Sequence, residues 1–120
     1  MTPDPQRAHD LLEHIAHAID RINDYTRSGE DEFLKSALIQ DAVIRNLEII
    51  GEASRSIEKR FPEFAEQHPE IPLRNAYEMR NVLSHGYFKV DLAIVWRTIE
   101  GDLPDLKRQI EDVLKQLEDP

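Results

Sequence analysis

The chain has 120 residues, with 15 Lys and Arg against 24 Asp and Glu, a formal charge of −9, and 40% apolar residues. That length suits one hydrophobic core in a single domain over 1–120, and the absence of cysteine excludes disulfides, thiolate zinc sites and a cysteine nucleophile. No apolar run approaches the roughly 18 residues of a membrane span. The start Met1-Thr2-Pro3-Asp4-Pro5 lacks the basic-then-apolar pattern of a secretory signal, so a cytoplasmic location is expected.

Asp4 as N-cap and Pro5 at the first helical position predict a helix over Pro5–Tyr25. Its stripe is Leu11, Ile15, Ala18, Ile22 and Tyr25. His14 and His17 share one face of it, and with His9 they read as surface histidines. Ser28-Gly29 ends the segment. The longest helix is predicted over Glu32–Lys59, with Ile39, Val43, Leu47, Ile50, Ala53, Ile57 and Phe61 inward. Asp41, Arg45, Glu48, Glu52, Arg55 and Lys59 form the opposite stripe, which reads as a solvated face tied by i,i+3 and i,i+4 pairs. A metal site on Glu48 and Glu52 lacks the Glu-x-x-His partner of di-iron bundles, and no metal or cofactor is expected.

Pro62 stops that helix, and Phe61-Pro62-Glu63-Phe64 fits a further helical turn. His68 to Pro72 is a proline-punctuated connection, with His68 a loop residue that has no visible partner. A third helix is predicted over Pro72–Ser84, with Gly86 as its stop. Asp91 caps a fourth over Leu92–Glu100, in which Trp96 reads as core beside Leu92, Val95 and Ile99. Gly101 ends it, and Pro104 starts a fifth with the stripe Leu106, Ile110, Val113, Leu114 and Leu117. No alternating strand pattern appears. The sum is an all-α antiparallel bundle of about five helices with a short irregular Pro-rich connection.

The chemistry concentrates in Met79 to Phe88, which packs Arg80, Asn81, Ser84, His85 and Tyr87 into eight positions. Arg80 and His85 lie about 140° apart on an ideal helix, so they converge only if the helix ends or bends near Ser84. Asn81, one turn before His85, could orient its ring. A histidine can move a proton to or from a ribose hydroxyl, and an arginine fork matches phosphate oxygens. Such a pair can cleave RNA by 2′-hydroxyl attack without a metal. The bland alternative leaves Arg80 as a helix cap and His85 as a surface residue. Between Arg74 and Arg97 the net charge is +2 and the remainder of the chain carries −11. This asymmetry predicts a small electropositive cleft on an acidic body, with modest, salt-sensitive RNA affinity.

Arg80-x4-His85-x-Tyr87 resembles the signature of the HepT toxins, within the HEPN superfamily of helical ribonucleases. Asp41 to Ala53, with its Gly51-Glu52-Ala53, is similar to that family's second-helix motif. Ile71-Pro72 and the run Val90-Asp91 to Val95-Trp96 also fit, so the resemblance covers about Ile39 to Leu106. Leu73 and Glu78 depart from it, standing where an aromatic and a glycine are common. The resemblance implies a HEPN-like fold and a homodimer whose two Arg/His motifs face a shared cleft. It also implies a metal-independent ribonuclease acting as a toxin, with Arg80 and His85 catalytic and Asn81 and Ser84 in support. Arg45 and Glu48 become candidates near the cleft or across the dimer. The implied antitoxin is an MNT-type nucleotidyltransferase that blocks the cleft by AMPylation of Tyr87. The rival reading is a non-catalytic HEPN-like subunit that partners a nucleotidyltransferase.

Overall fold

The structure is a computed structural model and describes residues 5–78 and 91–118. Helix α1 runs over Pro5–Tyr25, as its periodicity predicts, while its expected cap Asp4 lies outside the described residues. The buried line is Ala8, Leu12, Ile15, Ala18, Ile19 and Ile22, with Leu11 half-buried and Tyr25 exposed. The apolar face is thus turned from the simple 4-3-4-3 stripe, because α1 packs both along α3 and against α7. Gly29 takes φ +97°, a conformation that favours glycine, and turns the chain out of α1.

The helix expected over Glu32–Lys59 is two helices, α2 over Glu30–Lys35 and α3 over Ala37–Arg60. Ser36 is the cause. Its backbone is extended, and its hydroxyl accepts the Ile39 N–H at 3.2 Å, an N-cap for α3. Gln40 secures the other side of the break by donating to the Phe33 and Leu34 carbonyls at 2.9 and 3.2 Å. Along α3 the inward face is the expected one, with Val43, Leu47, Ile50, Ala53 and Ile57 buried. Each large aliphatic side chain among them contributes about 1.5–3 kcal/mol when fully buried.

Pro62 opens a short helix, α4, over Pro62–Gln67, longer than the single turn expected there. The connection 68–72 follows, and residues 73–78 form α5, the described part of the helix expected over Pro72–Ser84. His68 does have partners. Its Nδ1 lies 3.1 Å from Glu70 Oε1, and its ring packs on Phe64 with centroids 4.5 Å apart.

Helix α6 spans Leu92–Arg97 and passes through a π-helical turn, Thr98–Asp102, into α7, Leu103–Glu118. Gly101 therefore does not end a helix. Pro104 has no N–H and its ring conflicts with an α-helical turn before it, so the backbone widens instead, the Leu103 N–H donating to the Thr98 carbonyl. Thr98 adds a side-chain bond to the Ile94 carbonyl at 3.0 Å. Among the described residues there is no strand, and no helix is long and apolar enough to cross a membrane.

Candidate functional site

Arg80, Asn81, Ser84, His85 and Tyr87 lie outside the described residues, as do Gly86 and Phe88. The elements that hold the two ends of that segment are described. On the N-terminal side, Ile71, Leu73 and Ala76 are buried in the main core and seat α5. Leu73, one of the two departures from the family pattern, is thus a core residue, and Glu78, the other, is exposed with its carboxylate 3.6 Å from Arg74 Nε. On the C-terminal side, Asp91 caps α6 by accepting the Ala93 and Ile94 N–H groups at 3.0 and 3.4 Å. Val95 is buried, and Trp96 packs on the core with its ring 5.4 Å from that of Phe33. Trp96 is thus packed with the apolar residues among which its spacing places it.

Arg45 and Glu48 sit on the outer face of α3, their charged ends 4.0 Å apart with side chains 73% and 40% exposed. A pair this open contributes little to stability. Both line an open groove of about 300 Å³ between α1 and α3. Leu11, Ile49 and Ala53 supply its apolar part, and His14, Glu52 and Ser56 complete its rim. The periodicity of α3 gives Arg45 and Glu48 a shared face. It cannot show that His14 of α1 lines the same groove. Among the described residues no group of three or more His, Asp or Glu side chains is arranged to hold a metal ion.

A second contact escapes the sequence pattern. Arg55 of α3 lies over the ring of Tyr77 in α5, with its guanidinium carbon 5.3 Å from the ring centroid. Arg55 is exposed and Tyr77 half-buried. Such stacking contributes about 0.5–1 kcal/mol at an open site. It ties the outer stripe of α3 to the helix that leads toward Arg80. Before α5, a backbone hydrogen bond at Glu70, joined by His68, holds the Glu70 carboxyl below its ordinary value.

The family described as ribonuclease HepT-like matches residues 15–113. Among curated proteins, the chain is 46% identical to one named "Probable ribonuclease HepT" from Thermococcus cleftensis, over 92% of this chain and 99% of that one. It is 41% identical to a Methanocaldococcus jannaschii protein whose name joins a gamma-glutamylcyclotransferase to a putative RNase, over 89% of this chain and 47% of that longer one. A further protein of that organism, with RNase in its name, is 37% identical over 92% of this chain and 86% of its own length. No solved structure matches the chain.

Proposed function

The chain belongs to the HepT-like ribonuclease family, and on that premise we propose that it is a metal-independent ribonuclease acting as the toxin of a toxin–antitoxin pair. The observation that carries this reading is the family match over 15–113, which includes Arg80, His85 and Tyr87 at the spacing of the signature. His85 takes the proton of a ribose 2′-hydroxyl as that oxygen attacks the neighbouring phosphorus. The bond from phosphorus to the 5′-oxygen breaks, that oxygen takes a proton from a His85 imidazolium, and a 2′,3′-cyclic phosphate remains. Arg80 offsets the charge that gathers on the phosphoryl oxygens, where a fixed guanidinium fork fits best. Asn81 and Ser84 are polar support. Two copies of the chain bring two such motifs to one cleft, with Arg45 and Glu48 near it or across the dimer.

The partner in this reading is an MNT-type nucleotidyltransferase acting in the same cytoplasm. It transfers AMP from ATP to the Tyr87 oxygen and releases pyrophosphate. The added group carries bulk and negative charge two residues from His85, where a substrate phosphate has to sit. The test has two parts. The protein alone is expected to cleave RNA in the presence of EDTA, and His85→Ala to lose cleavage while keeping its helical circular dichroism and melting temperature. Normal cleavage by His85→Ala would remove the catalytic assignment. The protein co-expressed with its neighbouring nucleotidyltransferase gene is expected to gain one or more AMP units in intact mass, and Tyr87→Phe to gain none. An unchanged mass with the partner bound and active would leave a steric antitoxin instead.

A further inference from the structure

We propose that Arg55 is an RNA-contacting residue, its guanidinium held over the Tyr77 ring so that it takes a backbone phosphate flanking the one that is cut. The inference rests on the ribonuclease reading and adds to it a place where the strand is gripped. Three observations carry it. First, stacking on Tyr77 favours one placement of the guanidinium while leaving its charge in place, so part of the side-chain freedom is already given up before it meets a phosphate. Second, Arg55 is exposed, and no carboxylate among the described residues pairs with it, although the chain carries 24 acidic residues against 15 basic ones. Lys59, one turn further along the same face of α3, is exposed in the same way. Third, Tyr77 precedes Arg80 by three residues, a stretch of chain that spans at most about 11 Å. The backbone at Arg80 is thus close to Tyr77, and a strand with its scissile phosphate at Arg80 has the arginine upon Tyr77 within reach of a phosphate a few nucleotides away. Arg55 also extends the positive window of Arg74 to Arg97 on a chain of net −9.

The test reads salt dependence, which counts phosphate contacts. The probe is a fluorescein-labelled 20-nucleotide single-stranded RNA of mixed sequence with 2′-O-methyl riboses, which keeps every phosphate and offers no hydroxyl for attack. Anisotropy titrations between about 50 and 200 mM salt give the slope of log K against log salt for each protein. Arg55→Gln is expected to bind about tenfold more weakly at the low-salt end and to lower the slope by about 0.7, one phosphate on a single strand. Arg55→Lys is expected to keep the slope and lose part of the affinity, because an ammonium neither stacks nor forks as a guanidinium does. Lys115→Gln, the same charge change at an exposed site near the end of α7, is expected to leave the slope as it is. An unchanged slope in Arg55→Gln overturns the inference. So does an equal fall in Lys115→Gln, which makes the effect one of net charge, or a wild type that does not bind the probe. Cleavage of the unmodified RNA by the wild type is scored separately and decides the ribonuclease reading by itself.

Discussion

Lys107 of α7 donates to Asp20 of α1 and lies 3.6 Å from Glu111, so that one ammonium ties two helices. The Asp20 hydrogen bond is the first cause that raises the Lys107 pKa above 10.5. A raised value means that the folded chain holds this proton more tightly than the unfolded chain. The stabilisation is therefore complete at neutral pH and is lost as pH rises past 10.5 and through the higher folded value. The Lys107 and Asp20 side chains are 30% and 52% exposed, so solvent keeps the contribution below about 1 kcal/mol. Lys107→Gln is expected to lower urea stability by that small amount at pH 7 and to match the wild type once the pH exceeds the folded value. A gap that widened on the alkaline side would contradict the assignment. Glu70 has the opposite sign, since its lowered value gives stability present above 4.5 and lost as pH falls through the folded value. These partnerships show where residue-level reading of the sequence stops. The solvated stripe of α3, with Arg45 beside Glu48, follows from spacing within one helix. Lys107 with Asp20, and Arg55 with Tyr77, join separate elements, and periodicity within an element says nothing of its neighbours. For the motif from Arg80 to Tyr87, residue types alone leave a catalytic and a bland reading side by side; the family resemblance favours the first, and those residues lie outside the described part of the structure.

At the scale of elements, helix ends are legible where a residue removes a backbone option outright. Pro62 ends α3 and opens α4, Gly29 turns the chain at positive φ, and Asp91 caps α6. Ser36 and Gly101 mislead for one physical reason, namely that a cap or break depends on what the neighbouring backbone does. Ser36 lies inside a continuous run of helix formers, and its role emerges only with Gln40 holding the carbonyls of Phe33 and Leu34. Gly101 reads as a stop, but Ile99, Leu103 and Leu106 all reach the core, and burying all three keeps the chain helical through the wider turn. Ser36→Ala is expected to cost about 1 kcal/mol by leaving the Ile39 N–H without its cap. Ser36→Asp restores an acceptor and is expected to recover most of that loss in thermal melts. If both variants melted like the wild type, the break would owe nothing to the cap.

The whole molecule measures 46 × 28 × 19 Å, and α3, at about 1.5 Å per residue, runs most of its length. Around that axis the flanks of the Arg80-to-Tyr87 segment are fastened separately, α5 through Ile71, Leu73 and Ala76, and α6 through Val95 and the contact of Trp96 with Phe33. Phe33 is fully buried although α2 has only six residues. A helix that short is not stable alone, so α2 is held by this one anchor together with the hydrogen bonds on either side of Ser36. Removing the ring therefore loosens α2 and α6 together. Phe33→Ala is expected to cost about 3–5 kcal/mol. The same change should also be visible at a distance, because Trp96 is the only tryptophan in the chain. Its emission is expected to shift to the red in the folded variant, as water reaches the face that Phe33 covered. Phe33→Leu refills much of the volume and is expected to restore most of the stability, with a smaller spectral shift because the ring contact is still missing. A Phe33→Ala variant with wild-type emission and melting temperature would mean that α2 does not brace α6, and the C-terminal flank of the segment would then rest on Asp91, Leu92 and Val95.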